Sequence, residues 1–252
     1  MSATPTATGI TVFCGSSPGN SPLYTQAAQQ VAAAIARERQ GGEPVELIYG
    51  GGTHGVMGIV REAGLRAGGQ VRGIIPAAFL SAEAPEGRIM EEHEIEDVVG
   101  SMHERKKRMA DLSQAFIGLP GGYGTAEEVF EMTTWSQIGV HLKPVILLNV
   151  NNFYSPLREF INNAISCGFI SEANRNFLTF VDGPPAAPSE VATINSSHTP
   201  TAIDAARTDE KDFDWGVAAL QAIRDWQKEG SGGATPYSFE WSEEQKKGKE
   251  VL

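Results

Sequence analysis

Apolar positions along the chain follow two spacings. Short runs at 10–14, 45–49, 71–75, 115–119, 145–150 and 177–181 are rich in Val, Ile, Leu and Phe, and most are followed by Gly or Pro. Such runs predict strands buried on both faces. Between them, apolar residues recur every three or four positions, as with Leu23, Ala27, Val31 and Ile35 in 21–40. That period predicts helices over 21–40, 56–67, 101–113, 125–139 and 154–167, with a weaker strand at 93–99 and a loop over 77–88. Strands alternating with helices at this spacing imply right-handed crossovers, and therefore an α/β, Rossmann-like doubly wound sheet, mostly parallel, with helices on both faces.

Beyond the last strand the pattern changes. Residues 184–209 are Pro, Ala, Ser and Thr without periodicity and read as a flexible insertion. Helical spacing returns at 213–228 through Val217, Leu220, Ile223 and Trp226, which predicts a helix packed back on the sheet, whereas 230–252 reads as a polar, frayed tail. With 252 residues, the expectation is a single domain over 1–252 whose core spans about 10–183.

Composition narrows the chemistry. Hydrophobic residues make up 41% and charged residues 20%, so disorder is excluded, and no apolar run approaches the ~20 residues of a membrane helix. A net charge of −11 disfavours nucleic acid and anionic membranes as partners. The first residues carry no export signal, and two cysteines, Cys14 and Cys167, give no disulfide framework, so a cytoplasmic setting is expected.

Several motifs fail on inspection. Gly50-Gly51-Gly52-Thr53-His54-Gly55 has the dinucleotide spacing, but the next strand ends Ile74-Ile75-Pro76 without the acid that would hold a ribose. It is kept as a close-approach glycine turn. Gly15-Ser16-Ser17-Pro18-Gly19 resembles a nucleophile elbow, yet the residue after Ser17 is proline and has no N–H to donate to an oxyanion. Ser16 and Ser17 remain turn hydroxyls within reach of a ligand. No Gly-Lys-Ser/Thr loop exists, and the five histidines show no metal-ligand spacing, so no metal site is expected.

Two segments stand out. In Leu119-Pro120-Gly121-Gly122-Tyr123-Gly124-Thr125-Ala126-Glu127-Glu128, three glycines lie between a strand and a helix, where backbone N–H groups and the positive helix end suit a phosphate. A capping box would explain Thr125 and Glu128, but not the glycines. In Ser101-Met102-His103-Glu104-Arg105-Lys106-Lys107-Arg108-Met109, Lys107 and Arg108 read as a solvated face, with Arg108 paired to Glu104. Arg105 instead shares a face with Met102 and Met109, which calls for a buried counter-ion or an anionic ligand.

These residues resemble the LOG ("Lonely guy") family of cytokinin riboside 5′-monophosphate phosphoribohydrolases, whose mark Pro-Gly-Gly-x-Gly-Thr-x-x-Glu stands here from Pro120 to Glu128. Phe13-Cys14-Gly15-Ser16-Ser17, Tyr49-Gly50-Gly51-Gly52, Met102-His103-Glu104-Arg105-Lys106 and Thr134-Trp135-Ser136-Gln137 follow the family's blocks in order, over about 10–181. A lysine-decarboxylase label also attached to the family finds no support, since no lysine is placed as a Schiff-base anchor.

The resemblance implies hydrolysis of the N-glycosidic bond of an N6-substituted adenosine 5′-monophosphate, without a cofactor, by a homodimer. It casts Arg105 and Glu128 as the catalytic pair, with Gly121, Gly122, Tyr123, Gly124 and Thr125 on the phosphate. Glu127 and Glu83 fall on the ribose side, Lys106 and Thr134 line the pocket, and Ser16 and Met102 complete it. Glu83 has an equal reading as an exposed loop acid, and Met102 as core. Two other functions remain open at this point. A purine-nucleotide nucleosidase accepting AMP differs only in its base pocket, and a non-catalytic nucleotide or cofactor carrier would not need both Arg105 and Glu128.

Overall fold

The computed structural model describes residues 8–80, 90–184, 209–239 and 241. The strands are β1 (Gly9–Phe13), a hairpin of β2 (Arg39–Gln40) and β3 (Glu43–Pro44), then β4 (Leu47–Tyr49), β5 (Val71–Pro76), β6 (Glu94–Val99), β7 (Ser113–Gly118), β8 (Val145–Asn149) and β9 (Thr179–Asp182). All but the hairpin form one parallel, seven-stranded sheet in the order β6-β5-β4-β1-β7-β8-β9. The helices are α1 (Pro22–Arg37), α2 (Gly55–Arg66), α3 (Met102–Leu112), α4 (Tyr123–Gln137), α5 (Ser155–Ser166) and α6 (Trp215–Lys228). The expected doubly wound α/β architecture is what the chain forms.

Burial on both faces explains the apolar strands. Ile10, Val12, Tyr49 and Ile117 pack against Val31 and Ile35 of α1, Val60 of α2, and Trp215 and Leu220 of α6. Phe13, Ile48, Phe116 and Leu147 face the opposite layer, where Met109 of α3, Met132 of α4 and Ile161 of α5 close a second core. Fully burying each such side chain stabilises the fold by roughly 1.5–3 kcal/mol before ordering costs. The central strands β1 and β7 are further joined by Thr11 Oγ1 and Ser113 Oγ at 2.5 Å.

Some local expectations change. The helix read over 21–40 stops at Arg37, and Gly41 and Gly42, both at positive φ, form the turn of the β2–β3 hairpin. Helix α6 packs on α1, where Gly216 lies so close that an added Cβ would meet Gln30 O at 2.4 Å. The frayed end expected from residue 230 is not found over 230–239 or at Trp241. Asn176 Nδ2 donates to Gly232 O at 2.7 Å, Tyr237 N–H to Gln137 O at 2.8 Å, and the Trp241 indole to Ile138 O at 2.6 Å. Almost all of the 184–209 insertion, and Glu83, lie outside the described residues. Among the described residues no helix is long and apolar enough to cross a membrane.

Candidate active site

The chain leaves β1 toward β4 on one side, while β7 returns to the other, so the sheet's direction of growth reverses between β1 and β7. In sheets of this kind the crevice that takes a ligand lies at such a reversal, outside the carboxyl ends of the strands. Three strand-to-helix turns meet at it. Gly15 N–H donates to Pro120 O at 3.3 Å, and the Val56 and Met57 N–H groups donate to Gly15 O at 3.1 and 3.3 Å. Beneath them the Tyr154 hydroxyl donates to Leu119 O at 2.7 Å. An added Cβ at Gly121 would sit 2.2 Å from Thr125 Oγ1, so this turn closes only with glycine.

Helix α4 starts at the crevice. Gly122 is its N-cap and offers no side chain to the first-turn N–H groups, which have no intrahelical acceptors. The capping-box reading of Thr125 and Glu128 is therefore overturned: Thr125 lies inside the first turn, and both side chains are buried. Space around Gly122 and Gly124 is open, and the positive end of the helix faces it.

Helix α3 brings the cation. Ser101 Oγ caps it by accepting from Glu104 N–H at 3.1 Å, while Glu104 Oε2 accepts from Gly100 N–H at 2.7 Å. The expected Glu104–Arg108 pair does not form, because Arg108 turns to Asp97 at 3.1 Å and Lys107 pairs with Asp111. Arg105 points inward and is 8% exposed. Its Nε donates to Ile74 O at 3.0 Å and its Nη2 to Gly50 O at 3.1 Å, leaving Nη1 at 3.4 Å from Glu128 Oε1. The counter-ion required by the sequence position of Arg105 is thus Glu128.

Burial pushes the Glu128 carboxyl up to about 7, against the pull of Arg105 and Lys106 and with help from Glu127 and Glu131. Near neutral pH it therefore exists in both protonation states, as a group that exchanges a proton with water or substrate requires. Cys14, at the end of β1, is buried next to this pair. Burial and the Glu128 charge raise its thiol far above the usual range, opposed by Arg105, so it stays protonated.

The remaining candidates spread outward. Lys106 is buried and tied to Glu127 and to Glu131 Oε2, the latter at 2.9 Å, which locks α3 to α4. Met102 lies beside Arg105 and is exposed, so its reading as a core residue does not hold, and Ser16 sits exposed at the lip. Tyr123 is 98% exposed. Thr134 is exposed on α4, seven residues and ~10 Å along the axis from Glu127. Sequence reasoning missed the carbonyls of Gly50 and Ile74 and the support from Tyr154. The glycine turn at 50–52 was the only local signal of the first.

A family model described as "Possible lysine decarboxylase" matches residues 57–191. A cytokinin riboside 5′-monophosphate phosphoribohydrolase from Rhodococcoides fascians is 46% identical over 175 residues, 69% of this chain and 84% of that protein. The enzyme of the same name LOG7 from Arabidopsis thaliana is 44% identical over 169 residues, 67% of this chain and 74% of that protein. Among solved structures, the molybdenum cofactor carrier protein of Chlamydomonas reinhardtii matches at 20% identity and a TM-score of 0.48, over 69% of this chain and 88% of that one.

Proposed function

The chain belongs to the LOG family of cytokinin riboside 5′-monophosphate phosphoribohydrolases, and from that premise we propose that it hydrolyses N6-substituted adenosine 5′-monophosphates to the free base and ribose 5-phosphate. One observation carries the assignment to a site: the buried Arg105–Glu128 pair stands beside an uncapped helix N-terminus at the sheet's reversal point.

The chemistry follows from charge. Breaking C1′–N9 leaves positive character on the ribose and negative charge on the purine; water adds to C1′, keeping one proton as the new C1′ hydroxyl of ribose 5-phosphate, and its other proton ends on the departing purine. The 5′-phosphate is held by the N–H groups of 121–125, with the Thr125 hydroxyl, which supports a requirement for the monophosphate. Glu128 in its ionised form stabilises the oxocarbenium and takes a proton from water; in a dry site a fixed carboxylate acts more strongly than in solvent. Arg105, the fixed cation, orients the substrate and offsets charge on the leaving base. Glu127 borders the ribose side, Lys106 and Thr134 line the pocket, and Met102 and Ser16 lie at its edge. A cytoplasmic location and a homodimer complete the proposal.

The test is chromatographic. The protein is incubated separately with N6-isopentenyladenosine 5′-monophosphate, AMP and the unphosphorylated riboside, and free base and ribose 5-phosphate are quantified. Release mainly from the prenylated monophosphate is expected, and Glu128→Ala and Arg105→Ala should each abolish it with the fold intact. Equal release from AMP would move the substrate to purine nucleotides generally. Full turnover by both variants would remove the mechanism.

A further inference from the structure

The glycine turn at 50–52 was set aside as a nucleotide fingerprint, and the reaction above assigns it no part. Its position in the fold gives it one. We propose that Gly50 is a positioning residue: with Ile74 it forms a backbone seat that fixes the Arg105 guanidinium, one edge toward Glu128, and this seat accepts no side chain at position 50.

Two carbonyls make the seat, Ile74 O at 3.0 Å from Nε and Gly50 O at 3.1 Å from Nη2. They come from the ends of adjacent strands, β5 and β4, so the planar guanidinium is held at two points of its fork and cannot rotate. A Cβ at Gly50 would lie 2.2 Å from Arg105 Nη2 and 2.9 Å from Met57 Sδ. The thioether is the end of a flexible chain and can yield, whereas the guanidinium is pinned and 8% exposed. Gly50 is absent from the glycines at positive φ, while its neighbour Gly51 has φ +81°. An alanine at 50 therefore meets no backbone strain of that kind, and the demand for glycine is one of space around Arg105.

The choice of carbonyls has a chemical consequence. Neutral dipoles orient a cation without cancelling its charge, whereas a carboxylate in their place would neutralise it. Among the described residues Glu128 is the one carboxylate within ion-pair distance of Arg105. The full charge of Arg105 thus stays directed at Glu128 and the crevice. A seat of this kind also holds the catalytic geometry before substrate arrives, which lowers the reorganisation required in the transition state.

The proposal rests on the phosphoribohydrolase reading for its kinetic consequence but not for its geometry, and the experiment separates the two. In protein labelled with ¹⁵N-arginine, the Arg105 Nε–H resonance is identified by its loss in Arg105→Ala. Slow solvent exchange is expected in the parent protein, and Gly50→Ala should accelerate it about tenfold or more. With N6-isopentenyladenosine 5′-monophosphate, kcat should fall by up to about 10²-fold, the cost of a misplacement near 1 Å, with a much smaller change in KM. Unfolding of Gly50→Ala is then compared in the parent and Arg105→Ala backgrounds. Removing the guanidinium makes room for the Cβ, so the alanine should be tolerated better there, even if Gly50→Ala alone does not fold.

Unchanged exchange and turnover in Gly50→Ala would overturn the seat, as would equal damage with and without Arg105. If the parent protein releases no base but Arg105 exchange responds as expected, the seat stands and the functional reading falls.

Discussion

Replacing Glu128 by Gln should remove the activity and should shift stability in favour of the variant, relative to the parent, as pH rises toward 7. The side chain is 7% exposed and burial raises its carboxyl to about 7 from an ordinary 4.5, which corresponds to roughly 3 kcal/mol. The sign follows from proton binding. Between about 4.5 and 7 the unfolded chain has lost this proton and the native protein has kept it, so native stability falls as pH rises, by up to ~1.4 kcal/mol per pH unit. The loss is complete above about 7. Glutamine has nearly the same shape and does not titrate, so the stability difference in its favour should grow by roughly 3 kcal/mol from pH 4.5 to 7.5 and then level off.

Urea unfolding followed by tryptophan fluorescence at intervals from pH 5 to 8.5 captures most of this change, and taking the difference between the two proteins cancels every other titrating group. Arg105 opposes the burial effect, so in an Arg105→Ala background the difference should extend to higher pH. Stability curves that run parallel, or a difference that grows toward acid, would refute the reasoning. A site that holds a carboxyl near neutrality at the expense of stability is a familiar trade between activity and folding.

Other consequences can be measured separately. If ionised Glu128 is the active form, kcat/KM should rise with pH and level off above about 7, and a flat profile from 5.5 to 8 would exclude that role. Tyr154→Phe removes the hydroxyl that donates to Leu119 O beneath the glycine turn, and by leaving that buried carbonyl unpaired should cost about 1–2 kcal/mol in chemical denaturation. Arg61→Ala takes the guanidinium from Glu94, whose side chain is fully covered, bonded to Arg61 Nε at 2.5 Å and also to Glu91 N–H at 3.2 Å, and should destabilise by about 1.5–3 kcal/mol, whereas no loss in chemical denaturation would mean the pair is not formed in solution.

The alternation of strand and helix, the turn from Pro120 to Thr125 and the inward face of Arg105 were legible in the sequence because each rests on neighbours a few residues apart. Period 3.6 marks a helix, short runs rich in aliphatic residues mark doubly covered strands, and glycines between the two mark a turn that a backbone must approach. The short hairpin at 39–44 escaped because two-residue strands carry no period. The anchored segment to Trp241 escaped because its hydrogen bonds run to Gln137 and Ile138, a hundred residues away.

Thr125 and Glu128 show where local reasoning divides. Thr-x-x-Glu reads as a capping box, and only the packed chain, which caps the helix at Gly122 and starts it at Tyr123, shows that Thr125 is not the cap. Sequence alone also determined that Arg105 needs an anion; that the anion is Glu128, at 3.4 Å on another helix, is a property of the fold. The seat of Gly50 and Ile74 lay beyond sequence because a carbonyl is the same at every residue, and only the sheet's register decides which one meets a guanidinium. The raised pKa of Glu128 is tertiary for a similar reason: it arises from the removal of water, which no stretch of chain accomplishes until the strands and helices close around it.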